Sequence, residues 1–220
     1  MSGDRHSIAL EPEIVVDADD RARREATNGI LQYNVALELI RQHVHDPERP
    51  FKLRISHILQ LHKAALDGIH PLSGTFRNRS VEIHGSRHQP PDAWMVADET
   101  ASLCEYVNEN WHGHSAIHLA SYILWKLNWI HPFADGNGRT SRAVSYLVLS
   151  IRMNSILPGV PTIPDQIASD KNPYYEALEA ADIVWSGGKI DVSALEEMLA
   201  RMLATQLLGA TRIAGQPGTP

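Results

Sequence analysis

The sequence contains very little of what several large classes of protein require. Cys104 is the only cysteine among 220 residues, so neither an intrachain disulfide nor a cysteine-rich metal site is available. The longest stretch without Asp, Glu, Lys or Arg, residues 110–125, is too short to cross a bilayer and contains His112, His114 and His118. The N-terminal residues MSGDRHSIALEPEIVV lack the basic and then apolar order of a signal peptide. These absences predict a cytoplasmic protein that does not contact a membrane.

Positive charge is also scarce. The chain has 20 Lys and Arg against 26 Asp and Glu, which gives a formal net charge of −6. A protein that binds nucleic acid across its surface needs clustered positive charge, so no direct nucleic-acid binding is expected. With 43% apolar residues, the composition is otherwise that of a globular protein with a hydrophobic core.

Most of the chain shows the three- and four-residue spacing that is typical of helices. Helices are predicted from about residue 21, over 53–66, over 92–110, before residue 131, from about residue 137, and over two C-terminal segments within about 172–208. In the first, the predicted buried face consists of Ile30, Asn34, Leu37, Ile40 and Val44, and Asn28-Gly29 is a candidate break. The fold class is therefore all-α, with a short β-prone stretch at residues 81–83.

The two ends of the chain differ from this helical pattern. Residues 1–17 have no helical period and are predicted to be an extended or mobile segment. Residues 209–220 are small and polar, which predicts a disordered tail. Between them, residues 18–208 are expected to form a single domain.

The segment HPFADGNGRTSR at residues 131–142 joins two of the predicted helices. Gly136 and Gly138 permit a sharp turn and leave backbone N–H groups open at the start of the second helix, which favours an anion. Arg139 and Arg142 are three residues apart on that helix, so both guanidinium groups suit the oxygens of one phosphate chain.

Two further side chains in the same segment supply reactive groups. Asp135 is a hard oxygen ligand, of the kind that Mg²⁺ takes when waters and phosphates complete its coordination. His131 is the residue that can accept a proton near neutral pH, which makes it the candidate general base. Together with the anion site, these residues indicate phosphoryl or nucleotidyl transfer.

The whole segment resembles the signature of the Fic family, His-Pro-Phe-x-Asp/Glu-Gly-Asn-Gly-Arg-x-x-Arg. Every specified position is filled, by His131, Pro132, Phe133, Asp135, Gly136, Asn137, Gly138, Arg139 and Arg142. The resemblance extends over a core of about residues 54–153 and implies a Fic-like helical bundle with a short β-hairpin flap. It also implies an enzyme that transfers AMP from ATP to a Ser, Thr or Tyr hydroxyl of a target protein.

The resemblance further implies a role for each motif residue. His131 would deprotonate the target hydroxyl, and Asp135 would hold Mg²⁺ between the α- and β-phosphates. The remaining nucleotide-binding residues would be Gly136, Asn137, Gly138, Arg139 and Arg142. The flap that registers the target peptide by strand-like pairing would contain Val81, Glu82, Ile83, His84 and Gly85.

Many Fic proteins are inhibited by a helix with the pattern Ser/Thr-x-x-x-Glu-Gly/Asn. The nearest segment here is REATNG at residues 24–29, in the predicted helix over about 20–45, with Glu25 in the glutamate position. It departs from the pattern at Arg21 and Ala26. One hypothesis is that Glu25 pairs with Arg142 and inhibits the enzyme; the alternative is a solvated charge on a helix.

Two other functions remain open at this point. A Doc-like enzyme would use the same loop to transfer the γ-phosphate, and a nucleotide-binding regulatory module would bind ATP without turnover. The sequence also leaves open whether the chain forms a homo-oligomer.

Overall fold

Helices dominate the computed structural model, which describes residues 5, 7–8, 14–15, 17–44, 46, 48 and 50–214. Within those residues there are eight α-helices, one short 3-10 helix at Ala93–Met95, and two strands. The strands are β1 (Ser7–Ile8) and β2 (Glu82–Ile83). The helices are α1 (Ala18–Arg41), α2 (Ile55–Leu66), α3 (Val96–Glu109), α4 (Ala116–Ile130), α5 (Asn137–Arg152), α6 (Ile163–Ser169), α7 (Asn172–Trp185) and α8 (Ser193–Ala214). The predicted all-α fold class is confirmed.

Helices α4 and α5 form the centre of the core. Their mutual interface is the largest between any two helices of the described chain. Ser115 caps α4 by accepting a hydrogen bond from the His118 amide (3.0 Å). Apolar side chains at the predicted three- and four-residue steps are fully buried in both helices, at Ala120, Leu124, Leu127, Val144, Leu147 and Val148. The loop between these two packed helices is the motif segment, so its position is set by the core.

The buried face of α1 matches the predicted one only at its C-terminal end, where Ile40 and, just beyond the helix, Val44 are buried. Ile30 is 66% exposed, and the buried positions begin instead with Asn28 and Gln32. The Asn28 amide donates to the Asp67 carbonyl (2.8 Å), and Gln32 donates to the Leu61 carbonyl (3.1 Å). These polar side chains face inward because they donate hydrogen bonds to one carbonyl group within α2 and to another just after its C-terminus. The predicted break at Asn28-Gly29 is absent from α1, which is continuous.

Helix α8 is longer at its C-terminus than predicted. It runs to Ala214, so residues 209–214 are helical rather than part of a disordered tail; residues 215–220 lie outside the described residues. Gly209 explains this extension, because a Cβ atom there would lie 2.2 Å from the Val160 carbonyl oxygen. The absence of a side chain lets the helix continue close to the 156–161 loop.

The two short strands correct the prediction of a β-hairpin flap. In the described residues, β2 pairs antiparallel with β1 and not with a second strand of the flap; Ser7 lies opposite Ile83, and Ile8 lies opposite Glu82. Part of the N-terminal segment that was predicted to be extended or mobile is thus a strand on the flap.

Among the described residues, no helix has the length and apolar character needed to span a membrane.

Candidate active site

The backbone at the end of α4 sets the position of His131. This residue has φ 50° and ψ 58°, the left-handed conformation that non-glycine residues seldom adopt. Its carbonyl oxygen accepts a hydrogen bond from Arg77 Nε (2.8 Å). Arg77 is itself buried and also donates to the Arg79 carbonyl (2.9 Å). The guanidinium group therefore holds the strained turn to the chain that leads into the flap.

The hydrogen bonds of the His131 ring define its tautomer. Nδ1 lies 3.3 Å from the Asn128 carbonyl oxygen, which can only accept, so Nδ1 carries the proton. Nε2 is then an acceptor, and it lies 2.9 Å from the Ser7 hydroxyl oxygen, which donates to it. Burial lowers the pKa of His131 from 6.5 to about 3, so the ring is neutral at pH 7. The site thus holds an unprotonated base with a hydroxyl group on its free nitrogen.

The loop after His131 packs against α2. The ring of His62 stacks on Phe133 at a centroid distance of 3.6 Å. His62 Nε2–H donates to the Asp135 carbonyl oxygen (3.0 Å), and Nδ1 accepts from the Gly74 amide (3.0 Å). Burial lowers the pKa of His62 to about 4, in keeping with this neutral form. His62 therefore positions the backbone that carries Asp135.

Asn137 tightens the loop at its other end. Its Oδ1 accepts from the Phe133 amide (2.9 Å), and its Nδ2 donates to the Phe133 carbonyl (2.8 Å). Gly136, with φ 76°, lies directly before α5, and a Cβ atom there would lie 2.3 Å from Leu66 Cδ2. Only glycine meets both conditions. The tight turn leaves the first N–H groups of α5 facing away from the helix body, as an anion site requires.

Four charged side chains connect α1 to this loop. Arg21 Nη2 lies 3.1 Å from Asp135 Oδ2, and Arg139 Nη2 lies 3.2 Å from the same atom. The Glu25 carboxylate contacts Arg21 Nε at 3.2 Å and Arg139 Nη1 at 3.3 Å. Two acidic and two basic groups therefore form a closed ring, in which each side chain is about a quarter to a third exposed.

The partner of Glu25 differs from the predicted one. Among the described residues, the arginines that contact Glu25 are Arg21 and Arg139, where the sequence analysis had placed Arg142. The reason is the point at which α1 crosses the loop. Arg21 fixes the α1 turn against Asp135, which lies beside the first turn of α5, and Arg139 belongs to that turn whereas Arg142 lies further along the helix.

A cavity of about 420 Å³ joins these groups. The predicted motif residues that line it are His131, Asp135, Gly136, Asn137, Gly138, Arg139 and Arg142, and Glu25 lines it as well. Of the predicted flap residues, Ile83 lines the cavity, Val81 is buried beneath the flap, and Glu82, His84 and Gly85 are exposed. The structure thus brings a base, a carboxylate, two arginines and a helix N-terminus to one cavity.

The acidic groups around this cavity suit a particular kind of metal binding. No cluster of three or more His, Cys, Asp or Glu side chains within the described chain could hold an ion unaided. A lone carboxylate such as Asp135 fits Mg²⁺ whose remaining ligands are waters and substrate phosphates. The Asp135 carboxylate is held by Arg21, Arg139 and the Gly136 amide (2.6 Å). A metal ion would replace the arginine contacts.

Three residues of the site were not anticipated by the sequence analysis. Ser7 contacts His131 through strand pairing, which no local pattern indicates. Arg77 is 4% exposed and donates hydrogen bonds to four backbone carbonyls. His62 lies among the buried residues of α2. A histidine among the apolar residues of the predicted α2 was the sequence feature that could have indicated a buried, hydrogen-bonded role for His62.

Comparison with known proteins agrees with this geometry. Residues 52–149 match the model of the Fic/DOC family. The protein adenylyltransferase Fic of Drosophila persimilis is 30% identical, over an alignment that covers 80% of this chain and 35% of that protein. This chain thus spans about a third of the length of that relative.

Solved structures support the same fold. Fic-1 from C. elegans superposes with a TM-score of 0.66 at 21% identity, covering 91% of this chain and 55% of that one. A Fic family protein from Desulfovibrio desulfuricans G20 superposes with a TM-score of 0.65 at 20% identity, covering 93% of this chain and 57% of that one. The predicted Fic-like helical bundle is therefore confirmed, and the chain contains a domain of the Fic/DOC family.

Proposed function

We propose that this chain is a protein adenylyltransferase, which transfers AMP from ATP to a Ser, Thr or Tyr hydroxyl of a target protein. One observation carries the proposal: His131 Nε2 accepts a hydrogen bond from a hydroxyl group at 2.9 Å, in the cavity that Asp135, Arg139 and Arg142 also line. A base on a hydroxyl beside an anion site is the arrangement that nucleotidyl transfer needs. The likeness to adenylyltransferases of the Fic family supports the same reaction.

The mechanism follows from the positions of the protein groups. His131 Nε2 takes the proton of the target hydroxyl while its oxygen forms a bond to the α-phosphorus of ATP. The bond between that phosphorus and the oxygen bridging to the β-phosphate breaks, and pyrophosphate leaves. Arg139 and Arg142 neutralise charge on the β- and γ-phosphates, and the N–H groups at the start of α5 bind phosphate oxygens. His62 and Asn137 keep the loop in place by the hydrogen bonds described above.

Asp135 is the residue that would hold Mg²⁺, since its carboxylate faces the cavity near both arginines. When bound, such an ion would neutralise negative charge on the phosphates. The sequence prediction of Mg²⁺ and ATP is part of this proposal. Binding of Mg²⁺ by Asp135 also requires Arg21 to move, because the Arg21 guanidinium group pairs with Asp135 Oδ2.

We further propose that α1 inhibits the enzyme through Glu25. Its carboxylate contacts Arg139, one of the two residues assigned to the β- and γ-phosphates. A terminal phosphate at Arg139 and the Glu25 carboxylate are both anions and would compete for one guanidinium group. The Glu25–Arg139 contact therefore supports inhibition by displacement of the terminal phosphate, with Arg139 in place of the predicted Arg142.

Labelled ATP tests both proposals. The full chain is incubated with Mg²⁺, cell lysate and ATP that carries the label either on the α- or on the γ-phosphate. Label on protein from the α-phosphate alone is the expected result. Label from the γ-phosphate alone would overturn the proposal in favour of Doc-like phosphotransfer, and ATP binding without either label would indicate a regulatory module.

The inhibitory role has a matched control on the same helix. Glu25→Gly is expected to raise the amount of α-label on protein. Glu38→Gly also removes an exposed glutamate from α1 but lies outside the ring of charges, and it is expected to change nothing. Equal label in both variants and in the unaltered chain would contradict the role of Glu25. The predicted cytoplasmic location and the question of a homo-oligomer are separate from this test and stay predictions.

A further inference from the structure

The N-terminal segment of the chain occupies the place that the proposed function assigns to a target peptide. β1 pairs antiparallel with β2, the strand of the flap, with Ser7 opposite Ile83. Among the described residues of the N-terminal segment, Arg5 and Ser7 line the cavity, and the side chain of Ser7 is a hydroxyl. Ser7 lines the cavity together with His131 and Asn137.

The Ser7 hydroxyl has hydrogen bonds that suit a nucleophile. Its proton points to His131 Nε2 across 2.9 Å, because that nitrogen is the acceptor of the ring. Asn137 Nδ2 donates to the same oxygen at 3.3 Å. The proton is thus directed at the base, while the oxygen keeps a lone pair for the α-phosphorus.

Contacts on both sides of Ser7 fix its register. Arg5 lies two residues earlier and also lines the cavity. Its guanidinium group lies 4.4 Å from the centre of the Tyr175 ring and pairs with Glu179, and its amide donates to the Tyr175 hydroxyl (3.2 Å). On the other side, the Ile14 amide donates to the Ile69 carbonyl (3.1 Å). Both contacts hold the N-terminal segment against the helical domain, with Ser7 between them at His131.

We propose that Ser7 is a modification site, to which the enzyme transfers AMP within the same molecule. This inference rests on the proposed function. The Ser7 oxygen forms the new bond to the α-phosphorus of ATP, its proton passes to His131 Nε2, and pyrophosphate leaves with the oxygen that bridged the α- and β-phosphates. Because the segment is attached, it competes with free targets at an effective concentration in about the millimolar range.

The experiment follows label from α-labelled ATP on the purified full chain, in the unaltered and Glu25→Gly backgrounds, and maps it by peptide mass spectrometry. Label on Ser7 is expected, with complete loss in Ser7→Ala and retention in Ser7→Thr, which keeps a hydroxyl. Ser73→Ala removes a serine whose hydroxyl bonds to the Lys63 carbonyl outside the site, and it should leave the label unchanged.

A mixing experiment separates reaction within one molecule from reaction between molecules. Active Ser7→Ala chain is incubated with His131→Ala chain, which keeps Ser7 but lacks the base. No label on the His131→Ala chain is expected, and the initial rate per molecule of the unaltered chain should not change with protein concentration. Label on the His131→Ala chain, or a rate that rises with concentration, would overturn the inference.

The same samples distinguish this inference from the proposed function. Lysate proteins are included in a parallel reaction. Label on lysate proteins, or on residues of the chain other than Ser7, with none on Ser7, overturns the modification site and leaves the adenylyltransferase in place. Absence of label from every protein, in the Glu25→Gly background as well, contradicts the proposed function and with it the assignment of Ser7.

Discussion

The Arg21 guanidinium group lies 3.1 Å from the carboxylate of Asp135, so a residue of α1 holds the group that is proposed to bind the metal. Arg21 stands where the inhibitory pattern of the family has Ser or Thr. It also contacts Glu25 at 3.2 Å. Helix α1, which is proposed to be inhibitory, therefore contacts the proposed metal ligand through Arg21 and the proposed phosphate ligand Arg139 through Glu25.

Replacing Arg21 is expected to strengthen metal binding. In Arg21→Ala, Mg²⁺ competes for Asp135 with Arg139 alone rather than with two guanidinium groups. The half-saturating Mg²⁺ concentration for label transfer should therefore fall about two- to five-fold, as expected for a partly exposed ion pair. Titration of Mg²⁺ at fixed ATP measures this. The control is Arg23→Ala, which removes an exposed arginine that pairs with Asp20 on the same helix. Equal Mg²⁺ dependence in Arg21→Ala and Arg23→Ala would show that Arg21 does not compete.

Two glycines provide a matched test of the loop geometry. Gly136→Ala combines a left-handed backbone with a contact of 2.3 Å to Leu66, so it should lower the free energy of unfolding by about 1–3 kcal/mol. Gly29→Ala lies on the exposed side of α1 with no atom within 4 Å of the new Cβ, and it should raise that free energy by about 0.5–1 kcal/mol. Urea unfolding of both variants measures the difference. Two changes of the same sign would contradict the described loop.

Stability should depend on pH through His62 and His131. Burial lowers the pKa of His62 to about 4 and that of His131 to about 3, whereas both titrate near 6.5 in the unfolded chain. As the pH falls below about 6.5, the unfolded state takes up protons that the folded state does not, so each histidine lowers the free energy of unfolding by about 1.4 kcal/mol per pH unit. Stability is therefore lost toward acid and kept above about pH 6.5.

The variant His62→Gln isolates one of these groups. Between about pH 6.5 and pH 5, the free energy of unfolding of this variant should change less steeply with pH than that of the unaltered chain. The difference in slope should equal the contribution of one histidine, about 1.4 kcal/mol per pH unit. Denaturant unfolding at several pH values gives this slope regardless of any constant loss of stability. An unchanged slope would mean that His62 is protonated in the folded chain.

The motif loop could be predicted from the sequence because its residues are contiguous. A tight turn between two core helices necessarily places His131, Asp135 and the two arginines near one another. The position of Glu25 near the loop was also predicted, but its partner was not, since that depends on where α1 crosses α5. A register between two helices is set by side-chain packing far apart in sequence.

Other features depended on contacts that no local pattern contains. The inward face of α1 begins with Asn28 and Gln32 because carbonyls of another helix are their partners, and an apolar pattern does not reveal such partners. Ser7 meets His131 through a two-residue strand whose pairing is wholly tertiary. The C-terminal extension of α8 depends on the close approach of Gly209 to Val160. The small and polar composition of residues 209–220 gives no indication of this contact.

The most direct test of the account concerns His131 as the base for AMP transfer. Transfer of label from α-labelled ATP to protein is compared between the Glu25→Gly chain and the same chain that also carries His131→Ala. Calorimetry is used to choose ATP concentrations at which both variants bind ATP to the same extent. Label is expected to fall by about 10²- to 10⁴-fold in His131→Ala, the contribution typical of a general base. Equal rates of label transfer with and without the His131 imidazole would contradict it.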